Sequence, residues 1–446
     1  MSAMSTTSHR DDSALTRELR PPLEAEAAAI EADRCLACGG PYAPAPCAVA
    51  CPAEIDVPGF VSAIAGGDAS GAAKTIFAEN LLGGTCARVC PVEVLCEGAC
   101  VLRDLGRRPI EIARLQRFAT DAALAEPAGR LRTAAPWNGR RVTVLGAGPA
   151  GMVCAGELAA LGYEVTVFDE HDEVGGLVRY AIAPYREQRE PLPAERAALE
   201  ALGVEFRLGK ASDSPEAQAA LETADAVFLG VGLGPDVDVR YAGDDLPGVW
   251  SSLPFIEALK TSAPPRVGDD VVVIGGGNTA IDVACEAVRL GARTVTMVYR
   301  RSRAEMPAYA HEIEEAAAEG VRFSWLSDPV RILGTHHVEA VECRLMSLGE
   351  PDESGRRRPR PIEGSEFVLR ANTVVKAIGQ QARTGLADWI PGLEFEHGAL
   401  KVEPATGQTS NPRVFAGGDV SNGGSSVVQA VREGKRAARA IDGWLS

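Results

Sequence analysis

After about residue 135, short apolar runs alternate with segments of helical period. Val142 to Leu145 is apolar and β-branched, as a strand buried on both faces must be. Apolar residues then recur at helical spacing as far as Leu161-Gly162, and a second run follows from Glu164 to Phe168. The same succession returns later, with a run at Val271 to Ile274, a helical stretch to Leu290-Gly291 and a run at Thr294 to Val298. Two further runs end in glycine, Ala224 to Gly234 and Val374 to Gly379, and another, Val414 to Asp419, ends in Gly-Gly-Asp. The last opens onto a helix from about Ser426, with Val428, Val431, Ala438 and Ile441 as its apolar positions. Strands that alternate with helices predict parallel sheets.

Ahead of residue 135 the pattern is purely helical. The stretch LEAEAAAIEADRC from Leu23 predicts one helix, Ile55 to Asn80 a helix pair with Pro58 near a start, and Pro109 to Ala123 a helix with Ile112, Leu115, Phe118, Ala119 and Ala122 at helical spacing. Gln116 falls on or beside that apolar face, where an unpaired amide is costly. Residues 1 to about 20 are polar and without period, which predicts a disordered tail, and Glu126 to Gly139 reads as a linker. The fold class is therefore α/β, a helical N-terminal domain followed by two Rossmann-like nucleotide-binding domains.

The glycines between run and helix turn pattern into chemistry. Gly146-x-Gly148-x-x-Gly151, with Pro149 and Ala150 inside it, lets the backbone turn sharply and approach a pyrophosphate at the positive end of the helix. Asp169, with Glu170 after it, ends the second strand 23 residues past Gly146, where a ribose hydroxyl is taken, and Gly175-Gly176-Leu177 offers a second close-approach turn. A turn used only for packing would not need strand, helix and acid together. The second copy reads Gly275-x-Gly277-Asn278-Thr279-Ala280, and where the first has Asp169 it has Tyr299, followed by Arg300, Arg301 and Arg303. Loss of the acid and gain of arginines suits a ribose 2′-phosphate, which puts NADPH ahead of NADH; a solvated basic loop is the alternative. Gly379 ends a further strand. Gly418-Asp419 resembles a second flavin-binding motif, with Asp419 on the ribityl chain and the following helix start facing the flavin.

Composition narrows the class. At 446 residues the chain exceeds one core, and 46% hydrophobic with 24% charged content is ordinary for a soluble protein. A net charge of −16 argues against nucleic acid or an anionic membrane as partner, and no apolar run reaches the roughly 18 residues of a membrane span. The start lacks a hydrophobic signal core, so a cytoplasmic location is expected. Eight of the 11 cysteines lie between Cys35 and Cys100. They form two groups, Cys35-x-x-Cys38, Cys47, Cys51-Pro52 and then Cys86, Cys90-Pro91, Cys96, Cys100. Short spacings with a trailing proline resemble the ligand runs of bacterial 4Fe-4S proteins. Zinc is the alternative that Cys-x-x-Cys leaves open, against which stand the three-residue spacings and the prolines. No cysteine pair follows Gly146, so a redox disulfide beside the nucleotide is not expected, and electrons would leave through the cysteine-rich domain.

From about Leu23 onward the chain resembles the flavin-containing half of dihydropyrimidine dehydrogenase and is similar to the small subunit of glutamate synthase. The features shared are Cys35-Leu-x-Cys38, Cys51-Pro52, Cys86-x-x-x-Cys90-Pro91, Cys96-x-x-x-Cys100, both glycine fingerprints, Tyr299-Arg300-Arg301 and Phe415-Ala416-Gly417-Gly418-Asp419. The resemblance implies FAD, NADPH and two 4Fe-4S clusters, one on Cys35, Cys38, Cys47 and Cys100, the other on Cys51, Cys90, Cys96 and Gln116, with Cys86 spare. It implies a cluster domain at 1–135, an FAD domain at 136–247 and 371–446, and an NAD(P) domain inserted at 248–370. Catalysis needs no proton-transferring side chain, and no catalytic residue is marked. Leu115-Gln116-Arg117-Phe118 leans toward the pyrimidine branch, so the partner implied is an FMN-containing dihydropyrimidine dehydrogenase subunit. The glutamate synthase large subunit is the alternative, and a non-catalytic electron carrier or scaffold is the reading of another class.

Overall fold

The computed structural model describes residues 18–40, 42–127, 132–261, 264–352 and 355–446. The tail expected at the N-terminus lies, up to residue 17, outside the described residues, as do 128–131 of the linker. Two compact units emerge. Of the described residues, one comprises those within 20–179, 189–234 and 382–446, the other those within 18–19, 180–188 and 235–381.

In the first unit the cysteine-bearing segment is helical and the nucleotide-binding segment α/β. The expected helix pair forms at Val57–Ala65 and Ala69–Glu79, each capped by an aspartate whose carboxylate accepts an amide hydrogen: Gly59 N to Asp56 at 3.1 Å and Gly71 N to Asp68 at 2.7 Å. Ile112–Leu124 is a helix with Leu115 and Ala119 buried, and Gln116 is buried with them. Five parallel strands make one sheet in the order Val414–Ala416, Ala226–Leu229, Arg141–Leu145, Glu164–Phe168, Val204–Arg207. Val142 pairs with Val165 on one side and Ala226 on the other. Glycines set the closest approach above this sheet. A Cβ on Gly434, in helix Val427–Leu445, would stand 2.3 Å from the Ala150 carbonyl oxygen of helix Pro149–Ala160, so the two helices touch backbone to backbone there.

Glu195 ties the α/β part to the helical part. It is fully buried, and its carboxylate accepts hydrogen bonds from Gly84 N (2.9 Å), Thr85 N (3.0 Å) and the Thr85 hydroxyl (2.6 Å) at the start of helix Gly83–Val89, which carries Cys86 and leads to Cys90. The carboxylate thereby caps a helix 110 residues upstream. Burial pushes its pKa up to about 7, only partly offset by the Thr85 hydrogen bonds. A raised carboxyl adds stability that is complete below the unfolded value near 4.5 and lost as pH rises through about 7. Between pH 5 and 8 this group alone should cost on the order of 3 kcal/mol. Denaturant unfolding at the two pH values should show that Glu195→Gln narrows the difference seen in the wild type; an unchanged difference would show that Glu195 does not titrate as argued.

The second unit repeats the α/β plan, with parallel strands in the order Val249–Ser251, Thr373–Lys376, Asp270–Ile274, Thr294–Tyr299, Arg322–Trp325. Its core gathers Val271, Val273, Ile281, Ala284, Val295, Met297 and Val375 between sheet and helices. The charged stretch before residue 196 proves to be structural in part. Within residues 180–188, Tyr185 donates its hydroxyl to Asp282 at 2.7 Å, and Arg186 pairs with Asp282 (2.7 Å) and Glu312 (3.1 Å), all four groups buried or nearly so. An antiparallel sheet of Ser327–Leu333, Ala340–Pro351, Arg357–Pro361 and Phe367–Arg370 was not foreseen. Its long strand buries Val341, Cys343 and Met346, and the three-residue step from Cys343 to Met346 breaks the period-two pattern that would have revealed it.

Candidate functional site

The first glycine turn stands at the carboxyl end of Arg141–Leu145, where Gly146 has φ of +98° and a Cβ on it would lie 2.4 Å from the Gly230 carbonyl oxygen. Gly148 caps helix Pro149–Ala160, and no atom of the chain lies closer than 3.8 Å to where its Cβ would stand, which leaves room for a phosphate at the positive helix end. Asp169 accepts hydrogen bonds from Ala147 N at 2.7 Å and His171 N at 2.9 Å. Burial raises its pKa, but these bonds together with the His171 ring outweigh it and hold the carboxyl below the usual range. A carboxylate has about four acceptor sites, so Asp169 can brace the turn and still accept from a ribose. Glu170 points outward to Arg383 at 3.0 Å. Gly175 and Gly176 bring their turn onto the fingerprint, with Gly175 N on the Ala147 carbonyl at 2.8 Å, and Leu177 starts the short helix Leu177–Tyr180.

Gly418 and Asp419 lie beside the same cradle. Gly418 has φ of +78°, and a Cβ there would meet that of Ala150 at 3.1 Å. Asp419 accepts one hydrogen bond from Ser425 N at 3.1 Å, and burial pushes its carboxyl up despite it. A polyol placed against it would supply the donors it lacks. The buried Glu433 went unread in the sequence. It takes Gly418 N at 2.6 Å, Asn422 Nδ2 at 3.0 Å and Gln429 Nε2 at 2.9 Å, and so locks the turn. The Ser426 hydroxyl caps helix Val427–Leu445.

In the second unit Gly275 turns at φ +146° and Gly277 caps helix Asn278–Arg289 with open space where its Cβ would be. Thr279 lies in the first turn beside the buried Ala280, and Asn278 spends its side-chain oxygen on Tyr309 N at 3.1 Å. Gly379, at φ +122° past strand Thr373–Lys376, has open space around it. Arg300 is exposed, with no ion pair among the described residues. Arg301 departs from the expected pairing with Arg300: it is buried and committed to Asp352 at 2.6 Å and to the Arg357 carbonyl at 2.8 Å.

The cysteines ring two cavities. The first is lined by Cys35, Cys38, Cys47 and Cys100 among apolar side chains including Leu36, Val61 and Ile112. The second is lined by Cys51, Cys86, Cys90, Cys96 and Gln116, with Val428 from the start of the C-terminal helix. Cys86, spare on the family pattern, therefore shares a wall with the others and hydrogen-bonds to Cys90. Gln116 gives its amide hydrogen to the Gly83 carbonyl at 2.7 Å, which leaves its oxygen as a ligand atom. Burial pushes Cys47 up to about 11, and Cys51 and Cys96 also upward. Thiols gathered this way ionise together only around a cation, and soft thiolate sets suit iron–sulfur clusters. Among the described residues no three His, Cys, Asp or Glu side chains converge on one point as a single metal ion demands. Cys154, Cys285 and Cys343 are buried and unpaired by disulfides. No described helix is long and apolar enough to cross a membrane.

The comparisons with known proteins agree with this layout. The pyridine nucleotide-disulphide oxidoreductase profile matches residues 140–434, and the profile described as dihydropyrimidine dehydrogenase domain II, 4Fe-4S cluster, matches 12–128. The small chain of NADPH glutamate synthase from Halomonas elongata is 37% identical, covering 96% of this chain and 93% of its own; that of Escherichia coli is 34% identical with the same coverage. The NADP-dependent formate dehydrogenase subunit beta of Moorella thermoacetica is 38% identical over 91% of this chain and 60% of its own. Among solved structures, FprA of Mycobacterium tuberculosis in complex with NADPH aligns at a TM-score of 0.56 with 21% identity, covering 70% of this chain and 85% of its own, a likeness of fold. The chain belongs to the pyridine nucleotide-disulphide oxidoreductase family and is an NAD(P)H-dependent flavoprotein iron–sulfur oxidoreductase that binds FAD, NADP and 4Fe-4S iron–sulfur.

Proposed function

We propose that the chain is the electron-input subunit of a glutamate synthase, which draws reducing equivalents from NADPH and delivers electrons to a large catalytic partner. The observation that carries this reading is length as much as identity: both glutamate synthase small chains align over 96% of this chain and 93% of their own. It ranks above the pyrimidine branch to which Gln116 leaned. The 4Fe-4S profile named for dihydropyrimidine dehydrogenase covers the cluster segment alone.

FAD supplies the conversion of a two-electron hydride into single electrons, and the clusters a one-electron relay. The chain's own residues hold these groups and keep them apart from water. The Gly146 to Gly151 turn and the Gly175-Gly176 turn would seat the flavin nucleotide's pyrophosphate, Asp169 its ribose, and Gly418-Asp419, braced by Glu433, its ribityl chain. Gly275 to Ala280 would seat the second pyrophosphate, with Gly379 at the edge of that site. Cys35, Cys38, Cys47 and Cys100 would hold one cluster. Cys51, Cys90 and Cys96 would hold the other, with Gln116 or Cys86 as eighth ligand. Val428 lines the second cysteine cavity from the first turn of the helix that follows Gly418-Asp419, so a cluster held there would lie on the side of the residues that would hold the ribityl chain.

The test is reconstitution. Loaded anaerobically, the protein should be yellow-brown and reduce an artificial dye with NADPH. Mixed with the glutamate synthase large chain of the same genome, it should form glutamate from glutamine and 2-oxoglutarate. Uracil reduction with an FMN-containing partner in place of glutamate formation would move the assignment to the pyrimidine branch.

A further inference from the structure

The geometry points to a ribose 2′-phosphate site built from two separate elements, Arg300 on the nucleotide loop and Arg357 on the antiparallel hairpin, with Arg301 as the tie between them. The inference rests on the second unit's being the NADPH-binding unit. Two consecutive arginines after strand Thr294–Tyr299 would ordinarily be read as a pair on one phosphate. Here only the first is free to serve. Arg301 turns inward, buried, and its guanidinium donates to Asp352 at 2.6 Å and to the backbone oxygen of Arg357 at 2.8 Å. A buried guanidinium with both contacts made will not be pulled out to meet a solvated phosphate, since it would give up a 2.6 Å ion pair with the partly buried Asp352.

What Arg301 does instead is bring another cation to the loop. Its two partners flank the connection between strands Ala340–Pro351 and Arg357–Pro361, where Asp352 N donates to the Arg356 carbonyl at 2.8 Å. Arg357 therefore starts its strand against the nucleotide loop. Its side chain is exposed, donates to Leu348 O at 2.8 Å and Gly349 O at 3.2 Å, and has no ion pair among the described residues. A guanidinium has five donors, so two are spent on aiming it and the rest are open to an anion. Its charge reaches the loop. Glu305, four residues after Arg301, sits below the usual carboxylate range, first because Ser302 hydrogen-bonds to it and in part because of Arg357. That carboxylate is occupied by Ser302 N (3.2 Å) and Oγ (2.5 Å), so it caps its own turn without engaging Arg357. Arg358, next along the strand, projects to the opposite face and takes no part.

The test uses the FAD- and cluster-loaded protein. It compares Michaelis constants for NADPH and NADH in dye reduction, and dissociation constants for 2′,5′-ADP and 5′-AMP by calorimetry. Arg357→Gln should raise the NADPH constant and weaken 2′,5′-ADP by roughly tenfold to a hundredfold, the worth of a charged hydrogen bond, with NADH, 5′-AMP and kcat unmoved. Arg300→Gln should do the same. Asp352→Asn, which loosens the tie, should shift the NADPH constant severalfold in the same selective way, and Arg358→Gln should shift nothing. If Arg357→Gln affects both nucleotides equally or neither, while Arg300→Gln is selective, the hairpin is not part of the site and the proposal falls. If neither arginine is selective, the 2′-phosphate assignment of the loop falls with it. Should Arg357→Gln fail to load cofactor, Asp352→Asn decides: selective loss supports the tie, and none overturns it.

Discussion

Cys90→Ser should abolish electron delivery to a partner subunit while leaving NADPH-dependent dye reduction at the flavin largely intact. Cys90 lines the second cysteine cavity, the one that Val428 connects to the start of the C-terminal helix. Serine keeps the volume but not the soft thiolate that iron requires. Low-temperature electron paramagnetic resonance of the reduced protein should lose one cluster's signal and keep the other's. Partner-dependent turnover should fall by at least a hundredfold, because the relay is serial and one missing carrier interrupts it. Loss of both signals with loss of flavin would show that Cys90 is needed for folding. Full turnover would remove it from the relay. The same spectra decide the eighth ligand, since Cys86→Ser and Gln116→Ala cannot both leave the second signal unaltered.

Gly151→Ala should give a protein that no longer retains FAD. A Cβ at this position would lie 1.9 Å from the Gly146 carbonyl oxygen and 3.3 Å from a Val144 methyl, and the first of these is backbone that cannot step aside. The helix would have to move off the strand end. A displacement of that kind removes the amide groups facing the pyrophosphate and costs more than the few kilocalories of an ordinary overpacked site. The purified variant should be brown but not yellow, with its flavin absorbance below a tenth of wild type at equal protein. Stoichiometric FAD in Gly151→Ala would mean that the turn is looser than its geometry.

Much of this was legible because it is local. Strand, glycine turn, helix and acid fall within 30 residues at Arg141 to Glu170, and the cysteine spacings are short enough to be read as ligand runs. The parallel sheets follow from runs such as Val271 to Ile274 that are apolar on both faces. What could not be read is what acts at a distance. Glu195 caps a helix 110 residues away, Glu433 looks like any helical glutamate until Gly418 is folded against it, and Asp352 gives no hint of Arg301. In each case a carboxylate that would be assigned to a solvated surface is buried or half-buried against backbone amides or a guanidinium. Only Gly434 carried a warning, since glycine inside a helix costs about 1 kcal/mol and is kept where another backbone comes close. The arginine pair misled for the same reason. Adjacency in sequence suggests a shared ligand, whereas the partner of Arg301 lies 51 residues further on.

The Glu195 cap also bears on how such a protein can be cut and recombined. Residues up to about 128 coincide with a recognised cluster module, yet excised at that point the module would leave Gly84 N and Thr85 N without an acceptor, and the buried Lys435 that reaches the Ala53 carbonyl at 3.2 Å would be gone as well. The seam runs through the interior. A gene fusion that borrowed the cysteine segment alone would inherit an unfinished helix, so that segment has to travel with the α/β part that carries Glu195 and Lys435. The formate dehydrogenase subunit in which 91% of this chain answers to 60% of a longer polypeptide has that form.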